Sequence, residues 1–194
     1  MKRKIFIIFI SILTIALFSA KIFPNSITDI IDNSIRYNNW SEAKKQLENY
    51  IKSNSTDSNG FVLYAAVLNE LKMYDEAIIA VRSAINFESS EEKKGEYYFN
   101  LGNYYFSKTL FDIAFQMYEK SVALNTVLPN PYYMMGLINY NNKDIENCIK
   151  NWKVYVGLAT DVKKRDKVKK VIAKLEQFLV DEKTRIEEEK KREE

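Results

Sequence analysis

Few residues in this 194-residue chain could carry catalytic chemistry. There is no histidine, which removes His-based metal sites and both the Ser-His-Asp and the Cys-His arrangements. The single cysteine, Cys148, cannot form an intrachain disulfide. It reads either as a reactive thiol or as a small buried hydrophobe, and its place in the pattern described below favours the second. No Gly-rich phosphate-cradling loop occurs. Carboxylates fall mostly at turn-like strings such as Asp75-Glu76, where acids cap helices and complement their dipoles. These residues argue against an enzyme, a bound cofactor, a metal or a small-molecule substrate. They leave recognition by aromatic and amide side chains as the available chemistry.

The elements that must position such side chains are helical. Apolar residues make up 46% of the chain and charged residues 28%, a balance suited to a packed core. Only 5 Gly and 3 Pro are present, too few for the frequent turns of an all-β fold. The formal charge of +3 is concentrated at one end: Lys2, Arg3, Lys4 and Lys21 lie in an acid-free start. Without those four, 25 basic residues face 26 acidic ones, so the body has no charge excess that would call for nucleic acid.

The basic start leads into Ile5 to Phe18, where only Ser11 and Thr14 are polar. This describes a signal peptide, yet a cut after Ala20 would leave bulky Phe18 two residues before the last retained position. The alternative is an uncleaved anchor. Ile5 to Phe23 as a helix spans about 28 Å, close to the hydrocarbon thickness, and Lys21 would snorkel to the interface. The anchor is the preferred reading of residues 1–24. It places the body on the extracytoplasmic, periplasmic side of a membrane. Cleavage would instead release the body as a periplasmic or secreted protein.

The body is periodic. The strings Trp40-Ser-Glu-Ala43, Tyr74-Asp-Glu-Ala77, Phe111-Asp-Ile-Ala114 and Asp144-Ile-Glu-Asn-Cys148 place a small residue at 43, 77, 114 and 148, with gaps of 34, 37 and 34. The stretch Tyr98-Phe-Asn-Leu101-Gly102-Asn-Tyr-Tyr105, followed by Ala114, Tyr118 and Ser121, resembles the tetratricopeptide repeat, with Tyr98 in place of the family's Trp. Phe61, Tyr64, Ala65, Leu68, Ala77, Val81 and Ala84 repeat the pattern. So do Tyr132, Met135, Gly136, Cys148 and Trp152, where Asn139 and Tyr155 depart from the usual aromatic and small residue. The first copy keeps Ala43 and Leu47 but has Ile30 and Ile31 where Leu-Gly is expected. The resemblance implies an all-α solenoid of about four helix hairpins, over 25–57, 58–91, 95–128 and 129–162. Small residues let paired helices approach closely, and no hairpin buries its apolar face alone. The three extra residues between copies two and three fall in Glu88–Gly95, as a polar loop or an extended helix end.

In that family, ligands lie along the first helices. Carried onto this chain residue by residue, the resemblance names Asn59, Val62, Ala66, Asn69 and Glu70; Glu96, Phe99, Asn103, Phe106 and Ser107; and Asn130, Tyr133, Leu137, Tyr140 and Asn141. The principal candidates are Val62, Asn69, Phe99, Asn103, Phe106, Tyr133, Leu137, Tyr140 and Asn141. Amides pair with a peptide backbone and aromatics supply apolar anchors. None of these positions carries Lys or Arg, and the nearest is Arg36 in the first copy. A carboxylate clamp is therefore disfavoured.

After Asp161, Val168, Val171, Ile172, Leu175, Phe178 and Leu179 form an apolar stripe on a helix whose other face is rich in Lys. Residues 163–180 read as a solvating cap, with an anionic-lipid or nucleic-acid patch as the alternative. Residues 181–194 hold seven acids and five bases and form a charged tail. The whole reads as an exported, membrane-tethered interaction module that holds a protein or peptide partner, as an envelope adaptor or accessory chaperone. The alternative is a structural subunit of a cell-envelope assembly, with the array as a rigid spacer.

Overall fold

The computed structural model describes residues 25–193, so the N-terminal apolar segment lies outside the described residues. Those residues form nine helices and no strand. They fall into two compact units, the first ending at Ser89 and the second starting at Ser90. The first unit contains α1 (Asn25–Tyr37), α2 (Trp40–Ser53), α3 (Ser58–Glu70) and α4 (Tyr74–Phe87). The second contains α5 (Glu91–Ser107), α6 (Phe111–Leu124), α7 (Pro129–Asn141), α8 (Ile145–Leu158) and α9 (Val162–Glu193). The pairs α1/α2, α3/α4, α5/α6 and α7/α8 are hairpins, and each unit stacks its hairpins on one another.

The four hairpin turns are one structure repeated. Each turns on a left-handed residue: Asn38 (φ 52°), Lys72 (61°), Thr109 (61°) and Lys143 (62°). In the last three, crossed hydrogen bonds close the helix end. Leu110 N–H donates to Tyr105 O at 3.0 Å and Thr109 N–H to Phe106 O at 2.9 Å, and the same pair of bonds recurs around Lys72 and Lys143. Glycine adopts this conformation without strain, whereas these side chains do not. Thr109, β-branched at positive φ, is the most strained of the four.

Register residues make the hairpin seams. Ala43, Ala77, Ala114 and Cys148 are all buried, each near the start of its hairpin's second helix. A second seam position trades volume between its two sides. Ile31 faces the cluster that holds Leu47, and both are buried. Ala65 and Val81 are likewise both buried. In the second unit the first helix gives up its side chain altogether. A Cβ on Gly102 would lie 2.5 Å from Tyr118 Cε1, and one on Gly136 would collide with the Trp152 indole. The smaller one partner becomes, the larger the ring that fills the seam.

The insertion before the third copy is an extended helix end. Ser90 Oγ accepts from Lys93 N–H at 3.3 Å and caps α5, which has 17 residues against 13 in α3 and α7. Gly95 then sits against Asn125 Cβ, and Ser121 Oγ donates to Gly95 O at 2.7 Å.

The helix α9 runs unbroken for 32 residues, about 48 Å, across the boundary at residue 180. Val168 and Ile172 are buried in the cluster formed with α8, and Leu175 and Leu179 pack against it partly buried. Val171 and Phe178 are exposed, so only one edge of the apolar stripe is docked. Lys153 on α8 pairs with Glu176 at 2.7 Å. From Asp181 on, the helix is charged on nearly every side and carries weak pairs such as Arg192–Glu188 at 3.8 Å. Among the described residues, no helix is long and apolar enough to cross a membrane.

The seam predicts its own epistasis. Gly102→Ala alone forces the Tyr118 ring aside and lowers stability by about 1–3 kcal/mol. Combined with Tyr118→Val, which recreates the Ala65/Val81 pairing, it costs less than the sum of the two single changes. Denaturant unfolding of the four proteins in the cycle measures this, and additive losses would refute the seam account.

Candidate functional site

The candidate ligand face in the first unit is modest. Val62 and Asn69 lie half-buried on α3. Phe61, next to Val62 in the chain, stacks on Phe87 with ring centroids 5.7 Å apart.

The second unit concentrates the rest, first on α5. Phe99, Asn103, Phe106 and Ser107 recur at helical steps of three and four and so share one face. Asn103 is only 7% exposed. The Tyr118 hydroxyl, buried beneath Gly102, donates to Asn103 Oδ1 at 2.9 Å. Burial pushes the Tyr118 phenol well above its ordinary pKa, so it stays a donor. That bond fixes the orientation of the amide and directs Nδ2 away from Tyr118. Nδ2 is closed to solvent and has no hydrogen-bond partner, and the same is true of Ser107 Oγ one turn further on. Two orphan donors thus sit on one helix face, flanked by half-buried rings. Phe99 lies 5.8 Å from the Tyr118 ring, and Phe106 packs edge-on against Phe111 at 5.0 Å.

On α7 the Trp152 indole lies where Gly136 leaves room. It stacks with both Tyr133 and Tyr140, centroids 6.1 Å apart in each case, and donates its N–H to Tyr133 O at 3.0 Å. Tyr140 is 46% exposed, Asn141 is exposed and Leu137 is half-buried. Tyr133 is half-buried and has a neighbour that sequence reasoning missed. Lys164 from the first turn of α9 places Nζ 4.5 Å from the Tyr133 ring centroid and 5.5 Å from that of Tyr155. The signal for this contact was Tyr155 itself, a large ring at a position where the second and third copies have Ala84 and Ser121. Arg36, in the first unit, is exposed.

Cys148 has no exposed surface. Burial, and then the charge of Asp144, push its thiol up to about 11. The thiol therefore stays protonated near neutrality and packs as a hydrophobe. Among the described residues, no group of acids and cysteine is arranged to hold a metal ion.

The tetratricopeptide repeat family's sequence model matches residues 95–126, the third hairpin. No curated protein matches the sequence. Several solved structures share the fold. The crystal structure of MamA superposes with a TM-score of 0.63 at 16% identity, covering 83% of this chain and 95% of that one. The hetero-tetramer Cut9–Hcn1 of the APC/C gives 0.61 at 16% identity, over 71% of this chain and 27% of that one. The first tetratricopeptide domain of Spaghetti (RPAP3), bound to the HSP90 peptide SRMEEVD, gives 0.54 at 18% identity, over 64% and 94%. The described residues thus share the all-α fold of these tetratricopeptide-repeat structures, and the third hairpin matches the repeat's own sequence model.

The thiol gives a direct check on the seam. A thiol-reactive probe should label native protein orders of magnitude more slowly than protein in denaturant. Cys148→Ala, which installs the residue of the other three copies, should change stability by less than about 1 kcal/mol. Rapid native labelling would show the seam to be open.

Proposed function

We propose that the protein works by holding an extended segment of a protein partner along the α5 face that carries Phe99, Asn103, Phe106 and Ser107. Leu137, Tyr140 and Asn141 on α7 complete the contact. The observation that carries this reading is the pair of orphan donors, Asn103 Nδ2 and Ser107 Oγ. A buried donor without an acceptor costs about 1–3 kcal/mol, so two on one face call for an explanation. A bound segment supplies one. Residues four apart on a helix are separated by about 6 Å, and alternate carbonyls of an extended chain by about 6.6 Å. Two carbonyls on the same side of such a segment match the two donors. Phe99 and Phe106 then swing aside from the donors and become its apolar walls. The candidate positions bear no Lys or Arg, so the preferred segment is uncharged rather than acidic. The peptide-bound Spaghetti domain supports a peptide as the ligand class.

We place the module on the extracytoplasmic side of a membrane, tethered by the apolar stretch that follows Met1-Lys-Arg-Lys. The support is the residue pattern alone: a basic start, a long apolar run and a poor cleavage site at Phe18-Ser-Ala20. Alkaline extraction of membranes should leave full-length protein in the pellet. Release of a shortened form would overturn the tether.

Ser107→Ala separates binding from folding. It removes an orphan donor, so the free protein should hold its stability or gain up to about 1 kcal/mol. Capture of the partner should nevertheless fall about tenfold, the equivalent of one lost hydrogen bond. Photo-crosslinking from Phe106 measures the capture, with Glu119 on α6 as the control site. Unchanged yield from Phe106, or equal yield from Glu119, would refute the α5 face as the site.

A further inference from the structure

The contact between α9 and the fourth hairpin contains a second recognition chemistry. Tyr133 and Tyr155 face each other with ring centroids 5.2 Å apart, tilted by 55°. Trp152 also stacks on Tyr133 and donates its indole N–H to the Tyr133 backbone carbonyl. The Tyr133 and Tyr155 rings form the walls of a recess. Tyr155 stands where Ala84 and Ser121 stand in the two preceding copies, so those hairpins have no such wall. The recess is filled by an ammonium, since Lys164 Nζ sits over both faces.

An aromatic face attracts a cation through its quadrupole, most strongly where water is thinned out. Lys164 shows the signs of that environment. It is half-buried, and among the described residues no carboxylate lies within ion-pair distance of its ammonium. Desolvation lowers its pKa, and the charge of Asp161 offsets part of that effect. The ammonium is therefore held chiefly by the rings. Its backbone belongs to the first turn of α9, where Asp161 caps the helix: Lys164 N–H donates to Asp161 Oδ1 at 3.0 Å, and neighbouring Val162 is exposed. The first deeply docked residue of α9, Val168, comes one turn later.

We propose that the Tyr133–Tyr155 recess is a binding site for the lysine side chain of a partner polypeptide, and that Lys164 occupies it in cis and must be displaced for it to load. The occupant in the free protein identifies the ligand class, because a lysine stem and ammonium already fit between these rings. Displacement requires only the first turn of α9 to fray, with Val168 and Ile172 still seated. The site is an end-stop for the α5 face: a partner segment with a lysine after its uncharged stretch would engage both. The proposal shares with the α5 reading only the premise of a polypeptide partner. Its test does not involve Asn103 or Ser107, so either can fail alone.

The test uses the full chain with ring-labelled tyrosines, observed by NMR. The probes are lysine capped as N-acetyl-lysine N-methylamide and the equally capped norleucine, which keeps the stem and lacks the charge. In Lys164→Ala the lysine probe should shift the Tyr133 and Tyr155 ring signals saturably, at a midpoint at least ~10-fold lower than in the parent protein. The norleucine probe should not. Asp161→Ala, which loosens the turn but keeps Lys164, should give an intermediate midpoint and remains readable if emptying the recess collapses it. The proposal is overturned if the lysine probe causes no ring shifts in either folded variant. Equal shifts by both probes would also overturn it.

Discussion

Everything in this molecule depends on the close approach of two helices across each hairpin seam. Helices in contact lie roughly 8–10 Å apart, and a seam tightens below that only where one side surrenders its side chain. Ala43, Ala77, Ala114 and Cys148 make that surrender on the second helices, and Gly102 and Gly136 make it on the first. The rest follows from the space so released. Tyr118 and Trp152 can lie flat against the opposing backbone only because no Cβ is there. Once they lie there, their polar ends must find partners. Tyr118 finds Asn103 Oδ1, and Trp152 finds the Tyr133 carbonyl. The packing constraint thus reaches the α5 face and the α7 face and decides which way their polar atoms point.

The same constraint explains why the chain could be read as far as it could. Size patterns survive in a sequence because a seam tolerates few residues, and the register at 43, 77, 114 and 148 is a list of such places. The hairpin turns left no comparable trace. Their left-handed residues are Asn38, Lys72, Thr109 and Lys143, where glycine would have announced the turn. Backbone hydrogen bonds hold these residues in a strained conformation, and that support is invisible in a string of letters. The insertion before the third copy allowed two readings, loop or helix end. The capping of α5 by Ser90 decides for the helix end.

The apolar stripe of the last helix shows where periodicity overstates burial. Six residues recur at helical spacing, but a helix resting on one neighbour covers only a narrow arc. Val168 and Ile172 occupy that arc and Phe178, at 51% exposure, falls outside it. The candidate ligand residues behaved in a mixed way for a related reason. Phe99, Asn103 and Phe106 share a face because they share a helix, which spacing alone can establish. Tyr133 packs against Trp152 and Tyr155, and the ammonium above it comes from α9, 31 residues further along the chain. No local pattern carries such a contact. The one available hint was the anomalous size of Tyr155.

Beside the strained turn residue Thr109 and Arg165 Nε, which has no hydrogen-bond partner, two further unfavourable features of the second unit lie at the two places where ligand chemistry is proposed. Asn103 and Ser107 keep donors away from both water and acceptors, and Lys164 keeps a partly desolvated ammonium over two rings. A sequence shaped for stability alone has cheap remedies for both. Alanine at 107 removes an orphan, and leucine at 164 would fill the recess between two tyrosines without a charge to desolvate. Neither remedy is in place, although the surrounding seams are tightly packed. Local rules broken against a background of rules obeyed mark the positions where something other than folding is being served. Each broken rule also names what would mend it: carbonyl oxygens for the donors, and for the recess a lysine brought by a partner in place of the one the chain supplies itself.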